Sequence, residues 1–233
     1  MTLVQAEPKK IYIRVDVQEW QPWANTKVYY NINDNDTNST IYDLSWNWVN
    51  QTWNGTPWYA TDATYGRVAT FNGNSYTQAW SRVNFGNECT FIALFYRNNI
   101  SSSMSIVTEC ASPSVYPIGI NCMTANKYEW WYAWVYNSNA YVQSTSNAVA
   151  NQRVMVATTR ASDGTAKIYI NWTLDNTVSW MITPTYSSWE NLQIWRWRNR
   201  DAKYLNWQFK LFIWEDRTWT DAEVAALAAE YGF

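Results

Sequence analysis

The sequence predicts an all-β fold, an antiparallel β-sandwich of the jelly-roll kind with one short C-terminal helix, and three observations carry it. In residues 153–180, Val154, Val156 and Thr158 alternate, Ile168 and Ile170 alternate after them, and a third short strand follows near Thr177. A period of two buries one face and wets the other, the pattern of an antiparallel sheet. Asp163-Gly164 lies between the first two runs, and such a pair supplies the positive φ angles of a tight hairpin. Residues 103–145 then hold four apolar or aromatic runs, SMSIVTE, VYPIGIN, YEWWYAWVY and AYVQST, separated by Ser, Pro and Asn clusters. Strands at that spacing, with turn signals between them, point to a sandwich.

The 233 residues suit one large sandwich, read as residues 25–233, preceded by an extension or attachment strand over residues 1–24. In that extension Ile11, Ile13, Val15 and Val17 share a face, and Pro22 marks a linker or edge. Net charge is −2, and no Lys/Arg block gives the footprint of a nucleic-acid binder. No apolar run reaches transmembrane length, so membrane insertion is not expected. The opening MTLVQAEPKK lacks the pattern of a secretory signal. The expected location is a virion, the cell surface or the extracellular space, reached without a cleaved signal.

Val28-Tyr29-Tyr30 reads as the first strand of the sandwich. In the polar run after it, Asp34, Asp36 and Asn38 have the alternate spacing of a calcium loop. Glycine is missing at the sixth position of that loop and Ser45 replaces Glu at the twelfth. A solvated loop is the better reading; Ca2+ stays a weak candidate and no other cofactor is expected. The segments DLSWNWVNQTWNGTP and RVATFNGNSYTQAW come next, then the strand CTFIALFYR, which Cys89 opens as a small core residue. Three cysteines allow at most one disulfide, for which Cys110 and Cys122 are the candidates. At the C-terminus Phe209, Leu211 and Ile213 alternate along a strand. A helix follows, opened by a Thr220/Glu223 capping box, striped by Val224, Leu227 and Ala228, and ended by Gly232.

The chain has no histidine, which excludes Ser-His-Asp, Cys-His and HExxH chemistry. Walker A and Rossmann fingerprints are missing too. The enzymatic alternative is a glycosidase with two facing carboxylates, for which Glu88, Glu109 and Glu129 lie near strand ends.

The order of DLSWNW, TFNGNSY, TFIALFY, DGTAKIYINWTL and YLNWQFKLFIWEDRTWTDAEVAAL resembles the laminin G-like, concanavalin A-like lectin/glucanase superfamily, in its bacterial and phage jelly-roll form, over residues 27–231. The resemblance implies two antiparallel sheets and a non-catalytic recognition module, with a glycan or surface protein as partner and a larger virion or surface assembly as its setting. A purely structural decoration role is the first alternative and a glycoside hydrolase the second. The Glu-x-Asp-x-x-Glu strand of the laminarinase-like members and the histidine-containing manganese and calcium signature of legume lectins are both missing. Candidate ligand-stacking residues are Trp58, Tyr59, Trp130 and Trp131, with Arg198, Arg200 and Asp201 as a charged rim.

One departure from the family pattern recurs. Where such sequences have glycine, this one has Trp46, Trp48, Trp172, Trp195 and Trp207, with Trp189 as a further case. The chain holds 18 Trp and 7 Gly, the reverse of ordinary usage. If those turns need left-handed backbone, each Trp costs roughly 1–2 kcal/mol, and five cost about as much as a whole domain's stability. Two readings follow. The turns are rebuilt and expose aromatics that stack on sugars, or the natural residues are glycine and the Trp letters come from UGA codons read with the wrong code. Trp214 and Trp219 stand where the family takes an aromatic and an apolar residue, and are expected to be buried.

Overall fold

The computed structural model describes residues 24–35, 37–56, 58–72, 75–79, 81, 83, 86–98, 104–109, 118–122, 126–131, 141–182, 192–194 and 206–233. The expected strand of Ile11 to Val17, and with it the attachment segment up to residue 23, falls outside them. In chain order the strands are β1 (Thr26–Asn31), β2 (Thr40–Ile41), β3 (Gln51–Asn54), β4 (Tyr59–Asp62), β5 (Gly66–Asn72), β6 (Tyr76–Ala79), β7 (Cys89–Arg97) and β8 (Met104–Glu109). They continue as β9 (Ile118–Cys122), β10 (Tyr128–Trp131), β11 (Tyr141–Gln143), β12 (Gln152–Arg160), β13 (Ala166–Ile170), β14 (Thr173–Val178), β15 (Leu192–Ile194) and β16 (Asn206–Glu215). The helix α1 (Asp221–Glu230) closes the chain.

Two antiparallel sheets form the sandwich. The first runs β14-β13-β12-β7-β16-β5-β4, and β1 pairs with β16 beyond the end of β5. The second runs β11-β10-β9-β8-β15-β6-β3-β2. Tyr30, Phe91, Phe95, Val156, Ile168, Phe212 and Trp214 of the first sheet meet Trp53, Val107, Ile120, Trp130, Val142 and Ile194 of the second in one buried core. Aromatic rings carry much of it: Phe91 stacks on Trp214 at 4.9 Å and Trp53 on Phe71 at 4.6 Å. Burying each such side chain is worth about 1.5–3 kcal/mol.

The opposite face of the first sheet packs under the helix. Ile92, Leu94, Met155, Tyr169, Leu211 and Ile213 meet Trp219, Val224, Leu227 and Ala228 there. The capping box forms as the sequence requires: Glu223 N–H donates to Thr220 Oγ1 at 3.3 Å and Thr220 N–H to Glu223 Oε2 at 2.8 Å. Gly232, at φ +76°, turns the chain away after the helix.

Two expectations need correction. Asp163-Gly164 does not make a two-residue turn. Arg160 pairs with Ala166, and the loop between them closes through an Ala161 N–H to Thr165 carbonyl bond of 2.8 Å, with only Gly164 at positive φ. Asp163 instead accepts the Thr165 N–H at 2.7 Å, which stabilises the longer loop. Nor do Phe209, Leu211 and Ile213 share a face. The register of β16 shifts between Phe209 and Leu211, so Phe209 joins the inter-sheet core while Leu211 and Ile213 turn toward the helix. Lys210 is the extra residue of that bulge; it is buried and donates to the Arg67 carbonyl at 3.3 Å.

Candidate functional site

The sequence-based candidates part company in three dimensions. Trp130 alternates with Glu129 and Trp131 along β10, and its indole lies wholly inside the inter-sheet core, tilted against Phe91 at 5.5 Å. A ligand does not reach that ring. Trp131 points to the other side of the second sheet, where it stacks on Tyr141 at 4.5 Å and donates its indole N–H to Glu129 Oε2 at 2.7 Å. Arg198, Arg200 and Asp201 fall outside the described residues, as do Trp189 and Trp195.

Trp58 is the candidate that presents a ring to solvent, with 61% of its surface exposed. It stands just before β4, on the connection by which the chain crosses from β3 of the second sheet to β4 at the edge of the first. Its backbone is fixed, since its carbonyl accepts the Thr70 N–H at 2.7 Å. Tyr59 next to it is half-buried and packed into the core. The Tyr59 hydroxyl accepts the Trp53 indole N–H at 3.2 Å and donates to the Asn38 carbonyl at 3.0 Å, and burial raises its pKa above the usual phenol value. At the other end of the same connection Asn54 is exposed, and its amide donates to Tyr76 Oη at 2.6 Å. The connection thus carries an exposed indole at one end and, four residues earlier, an exposed amide bonded to the buried Tyr76 phenol. An exposed indole offers a stacking plane, and an exposed amide on the same connection offers a directional hydrogen-bonding group.

The outer face of the second sheet is the other polar feature. Strand register lines up Thr52, Gln78, Gln193, Thr108, Gly119, Trp131 and Tyr141 across it. A second row holds Ser105, Asn121, Glu129 and Gln143, with Ser105 Oγ donating to Asn121 Oδ1 at 2.7 Å and Gln143 donating to Glu129. Sequence reasoning did not single out Asn121 and Gln193, although each is the polar residue between apolar ones in its strand. Ser105, Asn121, Glu129 and Gln193 are buried, and among the described residues Gln193 Oε1 has no hydrogen-bond partner. Burial raises the Glu129 pKa against the opposing hydrogen bonds from Trp131 and Gln143. A gap of Cβ size at Gly119 is closed by the Val107 carbonyl, 1.9 Å from where the atom would be, so only glycine fits this close crossing.

Two of the three carboxylates that a glycosidase would have to bring together lie at different sheets. Glu88 precedes β7 at one end of the first sheet, whereas Glu129 is in the second; the Glu109 side chain is outside the described residues. Asp34 lies in a 3-10 turn after β1, Asn38 Oδ1 accepts the Thr40 N–H at 2.8 Å, and Asp36 is outside the described residues. Among the described residues no three acidic or cysteine side chains gather into a metal-binding group. Cys89 and Cys122 are buried, with the Cys122 thiol pushed up to about 11 by burial, and Cys110 is outside the described residues. No described helix is long and apolar enough to cross a membrane.

No protein-family profile matches the chain, and no curated protein sequence is significantly similar to it. Solved structures are similar in fold. Domain 4 of AbnA, an extracellular arabinanase from Geobacillus stearothermophilus determined in complex with arabinotriose, aligns with a TM-score of 0.64 at 16% identity over 88% of this chain and 98% of that one. A botulinum neurotoxin type C structure, whose cell entry depends on interaction with two ganglioside molecules, aligns at TM-score 0.65 and 12% identity over 90% of this chain and 52% of that one. The binding domain of Paraclostridial Mosquitocidal Protein 1 gives 0.65 and 13% over 89% and 52%. The chain thus spans about half the length of these toxin structures and nearly all of the arabinanase domain.

Proposed function

We propose that this chain is a non-catalytic recognition module of the lectin-like β-sandwich type, binding a glycan on a cell or particle surface as part of a larger surface or virion assembly. The observation that carries the reading is Trp58: an exposed indole on unstrained, hydrogen-bonded backbone, four residues from the Asn54–Tyr76 amide–phenol pair. Sugar rings present apolar C–H faces and equatorial hydroxyls, which an indole face and an amide–phenol pair match. The kinship in fold with an arabinotriose-bound domain and with a ganglioside-dependent toxin supports the ligand class.

Glu129 favours a second reading, because a carboxyl with a raised pKa is what a glycosidase uses as its acid. A panel of immobilised glycans, screened for binding and then for hydrolysis, separates the two. Retained binding with no cleavage supports the module. Cleavage lost in Glu129→Gln or Glu109→Gln establishes the enzyme instead. Failure to bind any glycan, with a defined symmetric assembly on sizing, leaves the structural decoration role.

A further inference from the structure

The exposed tryptophans divide by backbone geometry. Among the described residues six that are not glycine have φ in the left-handed region: Asn126, Asn151, Asn171, Trp48, Trp172 and Trp180. Asparagine is a residue that visits this region, because its short amide bonds locally to the chain. Tryptophan has no such compensation. The three indole residues nonetheless stand at φ 57°, 67° and 66°, beside values of 70° for Gly66 and 76° for Gly232.

Trp172 is the sharpest case. Ile170 pairs with Thr173, so β13 and β14 are joined by just Asn171 and Trp172, with φ of 48° and 67°. Positive φ at both central residues is the mark of a type I′ hairpin turn, whose preferred sequence is Asn-Gly. Here the asparagine is in place and tryptophan occupies the glycine position. The side chains do not offset the strain by burial either. Trp48, Trp172 and Trp180 expose 72%, 45% and 77% of their surface. Trp46 is also exposed, at 82%, but its backbone is ordinary, as is that of Trp58. Trp130 and Trp214 are fully buried against Phe91.

We propose that positions 48, 172 and 180 are glycine in the protein as its own cells make it. The codon at each is UGA, decoded there as glycine; a code that assigns UGA to tryptophan writes Trp in its place. The inference removes three exposed indoles from the surface and leaves Trp58 as a stacking residue that the backbone accepts.

Peptide mass mapping of protein isolated from its natural source, read together with the codons of its gene, tests this. Glycine at 48, 172 and 180, UGA at all three, and tryptophan at 130 and 214 are expected. Tryptophan or a UGG codon at the three positions overturns the proposal. Glycine at 130 and 214 as well overturns the claim that backbone geometry selects the sites. A second measurement uses recombinant chain: Trp48→Gly, Trp172→Gly and Trp180→Gly should each raise Tm by about 2–8 °C, whereas Trp58→Gly should not. A fall in Tm for the three variants contradicts the strain on which the proposal rests.

Discussion

Asn171 ties the β13–β14 turn to Met155 by two bonds: its side-chain Oδ1 accepts the Met155 N–H at 2.9 Å and its own N–H donates to the Met155 carbonyl at 2.9 Å. The residue both tolerates the left-handed backbone and extends the β12–β13 pairing by one step beyond Val156 and Ile170. Asn171→Ala loses the first bond and with it the local amide bonding that offsets the left-handed backbone, costing about 1.5–3 kcal/mol. Asn171→Gly keeps the backbone freedom and costs less. Urea unfolding midpoints at unchanged slope measure both.

Asp175 of β14 holds the loop that follows β11, accepting from the Ser146 N–H at 3.1 Å and from Thr145 Oγ1 at 3.0 Å. Asn176 adds a bond to the Gln143 carbonyl at 2.8 Å, so this corner joins the two sheets. Burial alone raises the Asp175 pKa, but the bonds from Ser146 and Thr145 outweigh it and leave the carboxyl below its ordinary value. A depressed folded-state pKa contributes stability above the unfolded value, about 3.9, and loses it as pH falls through the folded value. Asp175→Asn should therefore flatten the acid limb of the stability–pH curve below about pH 4, read by thermal unfolding between pH 2 and 7.

Lys210 behaves in the opposite sense. Burial in the β16 bulge lowers its pKa to about 8, while Asp34 opposes the shift. The unfolded chain then binds more protons than the folded one between pH about 8 and about 10.4, so stability attributable to this group rises over that window. Lys210→Met should be neutral or stabilising at pH 7 and should remove the rise. Denaturation midpoints at pH 7 and pH 10 in the two proteins give the comparison.

Trp207 is a strand residue of the core, stacked on Phe95 at 5.2 Å with the Arg97 guanidinium 5.3 Å from its ring. The sequence reading placed it on a glycine-demanding turn, and the structure corrects this: it lies in β16 opposite Phe71 and Arg97. Trp207→Ala should cost about 3–5 kcal/mol through the cavity it opens, measured by chemical denaturation.

Much of the sandwich was legible because alternation and turn chemistry act locally. β12, β13 and β14 follow from Val154, Val156, Ile168 and Ile170, and α1 from Thr220 and Glu223. Cys89, Trp214 and Trp219 are buried as their settings implied. The β16 bulge was not read, since register depends on the partner strands; the apolar pair Leu211-Phe212 after a lysine was the one local sign. Trp48 and Trp172 showed against the glycines of the family pattern, whereas Trp180 matched no motif and only its φ reveals it. For the candidate site, the sequence put Trp58, Tyr59, Trp130 and Trp131 forward alike, and only the structure separates the exposed Trp58 from the buried Trp130. Trp130 and Trp131 are neighbours in sequence, and their opposite environments come from the pleat: one faces the core, the other the outer face of the sheet.

The most direct test of the recognition reading is the affinity of the intact chain for the glycan it binds best on a panel, compared with that of Trp58→Ala and Asn54→Ala. The account predicts a loss of about tenfold or more in Kd for Trp58→Ala, a smaller loss for Asn54→Ala, and an unchanged Tm for the exposed Trp58 variant. Equal affinity in all three proteins, or no glycan bound by the intact chain, would contradict it.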